Sequence, residues 1–192
     1  MNGSWKWKAL MVMAAVIAMA ISGGGGGAVP EMMGRDSLRT RTDALHGRTW
    51  VLGLDNVRVY DTAKKTLIRQ IGLPSWSVVA FICMPDIALD RRGSAFISSN
   101  VQSKLWRVDA DSFEVKQFEI SLLERERWDI GFGALAFAAD GTLFAMTSSA
   151  NSLWKIDIAM GRASLVELYP PPVKACALTG KGAGRIERSG QR

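Results

Sequence analysis

The sequence predicts an all-β fold that is built from repeated units of four short strands. Whole phrases of the sequence recur after 48 residues, which is typical of a repeat architecture. Short apolar stretches are separated by turns rich in Gly, Asp, Ser and Asn, as antiparallel hairpins require. Of the 192 residues, 48% are hydrophobic and 22% are charged, a composition typical of one globular domain and not of a disordered chain.

Residues 1–22 have the features of a secretory signal peptide. Two lysines precede an apolar run from Ala9 to Ile21, and small residues follow. The run is 13 residues long, whereas a helix that spans a bilayer needs about 20. We therefore expect cleavage near Ser22, with Gly27-Ala28 as a later alternative. An uncleaved membrane anchor is the competing interpretation.

Residues 23–48 are interpreted as a glycine-rich tether followed by a polar lead-in. The glycine run Gly23–Gly27 resembles the spacer behind the signal peptide of bacterial lipoproteins, but Ser22 stands where their lipidated cysteine would be. The expected product is a periplasmic or secreted bacterial protein that meets the membrane only through export.

Export determines how the two cysteines are interpreted. Cys83 and Cys176 are the only cysteines, and an even number in an oxidising compartment predicts a disulfide bond. The bond would close a loop of about 90 residues and stabilise the fold by about 4–5 kcal/mol. Two buried free thiols are the alternative. A zinc site is disfavoured because two cysteines and one distant histidine, His46, do not supply four ligands.

The formal net charge of +6 suggests a nucleic-acid partner, but the distribution of charge does not support one. Residues 86–157 carry eight basic against eleven acidic side chains, so the basic surplus lies toward the two ends of the chain. No predicted strand carries a basic stripe that could follow a phosphate backbone, and we expect no nucleic-acid partner.

Two complete repeat units span residues 86–122 and 134–168. The phrase Leu105–Asp109 returns as Leu153–Asp157 at the offset of 48 residues. Strands are predicted at 86–89, 94–98, 104–108 and 114–120 in the first unit, and at 134–138, 142–147, 152–157 and 163–168 in the second. Four antiparallel strands repeated every 40–50 residues or so form the pattern of a β-propeller blade. An ordinary β-sandwich with two similar hairpins is the alternative.

Within the segment Trp50–Ile68, a predicted strand ends in Val57-Arg58-Val59-Tyr60-Asp61 and leads through a turn to a further strand. This segment resembles the repeat of bacterial YVTN-type propellers, in which a strand ends in Val-x-Val-x-Asp. The segments 87–109 and 135–157 resemble blades of NHL and gluconolactonase-like proteins. The resemblance, which covers residues 49–182, implies an exported β-propeller protein in a short or partial version. Its motifs specify blades and carry no substrate.

The number of blades makes closure of the ring a problem. Residues 49–72 supply the outer part of one blade and 175–186 begin another, so joining them would give three blades in a repeat domain that spans 49–186. Closed rings have roughly four to eight blades. We predict an open arc or a homodimer that forms one ring, with a disordered tail at 187–192. A shortened, marginally stable relative of a larger propeller is the remaining alternative.

Residue types that perform catalysis are scarce. His46 lies in the lead-in and is interpreted as an ordinary surface residue, and the sequence contains no nucleophile elbow, Ser-His-Asp order or phosphate-binding loop. We predict a non-enzymatic binding module for an unknown protein or small molecule, without a cofactor or metal. The alternatives are a metal-dependent lactonase-like hydrolase, with a cage of carboxylates and amides around a divalent ion, and a shortened paralogue without activity.

Candidate ligand contacts lie in the loops that enter the innermost strands and in those that follow the second strands. These residues are Trp76, Asp86, Ser99, Asn100, Trp128 and Asp129. Core packing is the alternative for the two tryptophans, and plain turns are the alternative for Ser99 and Asn100. Two further sets are predicted to be structural: Asp61, Asp109 and Asp157 as turn residues, and Trp106 and Trp154 as packing between blades.

Overall fold

The computed structural model describes residues 36–79, 83–123, 131–147, 152–167, 178–181 and 185–188. The predicted signal peptide, most of the tether and lead-in, Trp128, Asp129 and Cys176 lie outside these residues. The described residues form an all-β fold, as predicted. They contain no helix that is long and apolar enough to cross a membrane.

Three sheets follow one another along the chain, and each contains a meander of four antiparallel strands. Blade 1 contains β1 (Arg39–Asp43), β2 (Arg48–Leu52), β3 (Asn56–Asp61) and β4 (Leu67–Gly72). Blade 2 contains β5 (Ile87–Leu89), β6 (Ala95–Ser98), β7 (Lys104–Val108) and β8 (Val115–Glu119). A short strand, β9 (Ser121–Leu122), leads to blade 3, which contains β10 (Phe132–Phe137), β11 (Leu143–Thr147), β12 (Leu153–Asp157) and β13 (Arg162–Glu167).

The first strands of the blades pack side by side around a common axis. β1 contacts β5, and β5 contacts β10. A separate hairpin of β14 (Leu178–Lys181) and β15 (Arg185–Arg188) continues this order, because β14 packs against β10. At the outer edge, β9 runs parallel to β13 and so joins the end of blade 2 to blade 3. Sheets placed radially with their first strands innermost form the architecture of a β-propeller.

The strand predictions for blades 2 and 3 are confirmed to within one or two residues, but the prediction for blade 1 needs correction. The segment 23–48 was expected to precede the repeats, yet β1 and the first residue of β2 lie in it. Blade 1 is therefore complete without strands from residues 175–186, which instead contribute to the β14–β15 hairpin. The sequence of β1, Arg-Thr-Arg-Thr-Asp, has no apolar residue, so the apolar alternation of a half-buried strand is absent.

The turns between the third and fourth strands repeat with the predicted period. In each turn the Asp that ends or follows the third strand accepts a hydrogen bond from the backbone N–H three residues later. These pairs are Lys64–Asp61 at 2.8 Å, Ser112–Asp109 at 3.1 Å and Met160–Asp157 at 3.1 Å. The next residue has a positive φ in every case: 58° at Lys65, 60° at Phe113 and 62° at Gly161. The structural interpretation of the three aspartates is thus confirmed.

Each gap between blades is filled by an apolar core, and a tryptophan from the third strand lies in it. Trp106 of blade 2 is in the core shared with blade 1, and Trp154 of blade 3 is in the core shared with blade 2. Both side chains are fully buried. The expectation that they pack between blades in equivalent places is confirmed.

Blade 1 differs from its neighbours on the face that points away from blade 2. Arg58 stands three residues before Asp61, the place that Trp106 and Trp154 occupy before their own aspartates. The side chain of Val59 lies in the core toward blade 2, so Arg58, its neighbour on the strand, belongs to the opposite face. Its partner across the ladder, Val51, is paired in turn with Thr40. A charged residue thus takes the position of the interblade tryptophan.

Candidate functional site

The candidate residues that the structure describes lie at one end of the blades. The strands of each meander alternate in direction, so the connection between blades 1 and 2 emerges at the same end as the β6–β7 loop. We call this end, formed by residues 73–79, 83–86 and 99–103, the loop face. The opposite end, which carries the turns β1–β2, β5–β6 and β7–β8, is called the turn face.

Ser99 and Asn100 hold the connection between blades 1 and 2 in place. The Asn100 side-chain amide donates to the Val79 carbonyl at 2.7 Å and to the Cys83 carbonyl at 3.1 Å, and its oxygen accepts the Val79 N–H at 3.1 Å. The Ser99 hydroxyl donates to the Ser77 carbonyl at 2.7 Å. Both residues are 0% exposed. They therefore brace the loop face from within instead of presenting polar atoms to a ligand.

The chain between blades 2 and 3 approaches Asn100 so closely that only glycine fits. Gly131 has a φ of 67°, and a Cβ built on it would lie 2.1 Å from the Asn100 carbonyl carbon. The next residue, Phe132, donates its N–H to the Ser99 carbonyl at 2.7 Å. The backbone of this loop is thus fixed by blades 2 and 3 together.

Trp76 is part of the packing below the loop face. Its indole N–H donates to the Ser98 carbonyl at 2.8 Å, and its half-buried ring packs against the core between blades 1 and 2. This arrangement corresponds to the core-packing alternative. Its predicted counterpart, Trp128, lies outside the described residues, as does Asp129.

Asp86 lies at the axis and contacts all three blades. One carboxylate oxygen accepts the Ile87 N–H at 2.8 Å and Nη2 of Arg41 at 2.8 Å, and the other accepts the Leu135 N–H at 3.2 Å. Nε of Arg39 lies 3.8 Å from the first oxygen. Asp86 is 1% exposed. This burial raises the pKa of Asp86 above its usual value, while the positive charge of Arg41 acts in the opposite direction.

Arg39 and Arg41 were not among the residues selected from the sequence. They alternate with threonines on β1, so both side chains lie on the face of this strand that points toward blade 2. Their side chains are 29% and 36% exposed, respectively, whereas Asp86 between them is buried. The alternation of arginine and threonine in residues 39–42 could have indicated a strand, but the segment was assigned to the lead-in as a whole.

A second polar cluster lies on the turn face. Nδ1 of His46 is 2.7 Å from a carboxylate oxygen of the buried Asp43, and its Nε2 is 3.7 Å from Asp111 of blade 2. Asp43 also accepts the N–H of Leu45 and of His46 itself, so it orders the β1–β2 turn. His46 therefore lies within blade 1 and not, as expected, outside the repeats. Within the part of the chain that the structure describes, no group of three or more His, Cys, Asp or Glu side chains could hold a metal ion.

Cys83 lies at the loop face, where Asn100 binds its carbonyl oxygen, and its side chain is buried. Its expected partner, Cys176, is outside the described residues. The disulfide bond accordingly stays a prediction, whose test is given in the Discussion.

Comparison with known proteins supports the architecture. No protein-family model and no curated protein matches the chain. Two structures of virginiamycin B lyase from Staphylococcus aureus are similar at 15% identity: a catalytically inactive variant with quinupristin, with a TM-score of 0.54, and a selenomethionine-substituted form, with 0.55. A streptogramin B lyase structure is similar at 17% identity with a TM-score of 0.58.

These matches cover 79%, 80% and 80% of this chain but only 54%, 55% and 47% of the other chains. The chain thus spans about half the length of the lyases that it matches. At such low identity the likeness shows the β-propeller fold alone, because one fold hosts many activities.

Proposed function

We propose that the protein is an exported, non-enzymatic binding module of the β-propeller type, with its ligand surface on the loop face. The observation that supports this most directly is the bracing of residues 73–83 by Ser99 and Asn100. A surface loop held by fully buried side chains is preorganised, which lowers the entropic cost of binding a ligand. Loops positioned by a rigid scaffold are also where binding residues concentrate.

The polar candidates support binding over catalysis by what they already contact. The side chains of Ser99, Asn100 and Asp86 are bonded to backbone groups of the protein itself, and Arg41 adds an ion pair with Asp86. A nucleophile or general base needs hydrogen-bond access to the reacting atoms of a substrate. These side chains build the surface and are not open to a reacting group.

Binding is tested by a ligand screen followed by hydrogen–deuterium exchange. Peptides, sugars and neutral metabolites are screened by their effect on the melting temperature, and the amide exchange of the mature protein is then mapped with each ligand that raises it. The proposal expects slower exchange at residues 73–79 and 99–103. Protection confined to the turn face, at residues 43–48 and 109–114, would contradict the assigned surface. Conversion of any ligand during the assay would contradict a non-enzymatic role.

Export is supported by the signal-peptide features of residues 1–22. After expression of the full chain in a bacterium, we expect a mature protein in the periplasm or the medium whose mass corresponds to an N-terminus close to Gly23. A Ser22→Lys variant serves as the control, since small residues are required at the cleavage site. Recovery of the intact chain in the membrane fraction would favour the uncleaved anchor instead.

A homodimer that completes a ring is a separate proposal, supported by the coverage of about half of each lyase chain. Arg58, on the face of blade 1 that points away from blade 2, opposes it, because blades 2 and 3 present tryptophan to their neighbours there. Light scattering of the mature protein tests this proposal. A mass of two chains at micromolar concentration supports it, and a monomer with a sharp, reversible melting transition contradicts it.

A further inference from the structure

We propose that Arg39 and Arg41 form a binding site for a carboxylate group of the ligand, at the loop-face end of the axis. The inference rests on the proposed function, because it names the chemical class of ligand that the same surface binds. It follows from the position of the two arginines, from the balance of charge around Asp86 and from the donors that remain at the partly exposed guanidinium groups.

The position of the two arginines is set by strand pairing. Arg39 is paired with Leu52 and Arg41 with Trp50, and both partners are buried in the core between blades 1 and 2. The arginine side chains therefore extend from β1, an innermost strand, over the axial end of this core toward Asp86. Arg39 lies nearer the loop face, because β1 runs from that face to the turn at Asp43.

The charges at this point do not balance within the described residues. Both arginines pair with Asp86, and no second carboxylate lies within 4 Å of either one in the described part of the chain. Two positive charges thus face one negative charge. The other acidic residue of β1, Asp43, lies at the opposite end of the strand and is bound to His46. One further monoanionic group would neutralise the site.

The guanidinium groups retain hydrogen-bond donors for such a group. Each guanidinium carries five N–H donors. Arg41 uses one toward Asp86 and one toward the Thr40 carbonyl, at 2.8 and 3.0 Å, and Arg39 donates to the Leu38 carbonyl at 2.9 Å. About a third of each side chain is exposed, at 29% and 36%. The planar fork of arginine binds carboxylate with two parallel hydrogen bonds, which selects this geometry over a point charge.

A carboxylate fits better than a phosphate for two reasons. A phosphate dianion would exceed the single surplus charge, and the buried carboxylate of Asp86 would repel the excess. The innermost strands also lack the run of basic residues with which proteins follow successive phosphates. The carboxylate comes either from a small organic acid or from the C-terminus of a peptide, and the experiment separates these two sources.

The experiment is a calorimetric titration of the mature protein at low ionic strength. The probes are acetate, N-acetylglycine, which imitates a peptide C-terminus, and its neutral analogue N-acetylglycinamide. The variants are Arg39→Gln and, as the matched control, Arg162→Gln on the outer strand of blade 3, where the arginine is exposed. Arg39 is chosen because the closer contact with Asp86 belongs to Arg41. Thermal melting and near-ultraviolet circular dichroism establish that each variant is folded.

We expect both carboxylates to bind the unchanged protein and the Arg162→Gln variant with equal affinity, and N-acetylglycinamide not to bind. Loss of a charged hydrogen bond in Arg39→Gln should weaken binding about tenfold or more. An Arg39→Lys variant, which retains the charge but not the fork, should give an intermediate value and replaces Arg39→Gln if that variant does not fold. Tighter binding of N-acetylglycine than of acetate would indicate a peptide C-terminus, and equal binding an organic acid.

The carboxylate site is overturned if the neutral amide binds as well as the acid, if Arg39→Gln leaves the affinity unchanged, or if neither acid binds the unchanged protein. These failures are distinguishable from failure of the proposed function. An uncharged ligand that protects residues 73–79 and 99–103 and ignores Arg39→Gln would retain the binding module and remove the carboxylate site. Ligands that never protect the loop face would remove both.

Discussion

Arg41 of blade 1 and Asp86 of blade 2 form an ion pair at 2.8 Å, and the same carboxylate accepts the N–H of Leu135 in blade 3 at 3.2 Å. One buried side chain therefore joins the innermost strands of three consecutive sheets. The apolar cores join blades only in pairs. Asp86 is thus the point at which the relative position of all three blades is fixed, which makes it the first residue to test.

Replacement of Asp86 by alanine should destabilise the fold by about 2–4 kcal/mol, because the buried N–H groups of Ile87 and Leu135 would lose their acceptor and Arg41 its counter-charge. The measurement is the free energy of unfolding in urea. An Asp111→Ala variant is the control: this side chain is 87% exposed, and its loss should change stability by less than about 0.5 kcal/mol. Equal effects of the two substitutions would show that Asp86 does not join the blades.

The stability contribution of Asp86 should depend on pH in an unusual direction. Burial raises its pKa in the folded state above the ordinary value of 3.8, so the folded protein favours the neutral carboxyl group. The contribution is fully present below the unfolded-state pKa and is lost as the pH rises through the folded-state pKa. Relative to Asp86→Asn, the unchanged protein should lose stability as the pH rises from about 4 toward neutrality. The opposite slope would mean that Arg41 outweighs the effect of burial.

Gly131→Ala should destabilise the fold more than Gly141→Ala. Both glycines have a positive φ, 67° and 89°, so alanine is strained at either position by about 1–2 kcal/mol. A Cβ at Gly141 meets nothing within 4 Å, whereas at Gly131 it overlaps the Asn100 backbone. The additional cost at Gly131 should be at least about 1–3 kcal/mol. Thermal melting of both variants measures it, and equal losses would indicate that the loop can move away from Asn100.

The two interblade tryptophans should differ when each is changed to phenylalanine. The Trp106 indole N–H donates to the Pro74 carbonyl at 2.8 Å, but the Trp154 N–H has no acceptor among the described residues. Trp106→Phe leaves the Pro74 carbonyl without this donor, so it should cost about 1 kcal/mol more than Trp154→Phe. Urea unfolding of both variants gives the difference. A larger loss for Trp154→Phe would point to an acceptor in residues 124–130, outside the described part of the chain.

The predicted bond between Cys83 and Cys176 can be tested by thiol labelling. The unfolded, unreduced protein from the periplasm should bind no alkylating reagent, and after reduction it should bind two equivalents. Reduction should lower the free energy of unfolding by about 4–5 kcal/mol, since the open chain gains conformational entropy. The Cys83→Ser variant should show the same loss without reductant. Labelling of two thiols in the native, exported protein would contradict the bond.

Blades 2 and 3 could be predicted because their strands alternate toward apolar cores and their turns repeat the same aspartate. β1 could not be predicted in this way, because it contributes arginines to the axis and no apolar side chain to a core. The roles of Ser99 and Asn100 were beyond the sequence for another reason. A polar side chain after a strand can face solvent or a buried carbonyl, and only the position of Val79 and Cys83 decides between them.

Arg58 gives the series of blades a direction. In solenoid proteins the first and last units carry polar outer surfaces, and internal units do not, since only the former stop the stacking of further copies. With a cation where blades 2 and 3 carry an indole, blade 1 serves as such a terminal unit. Duplicated blades could be inserted behind it without exposing new apolar surface, whereas placing a copy in front of it would bury an unpaired charge. Lengthening of this protein, by evolution or by engineering, is therefore expected to proceed from the side of blade 3.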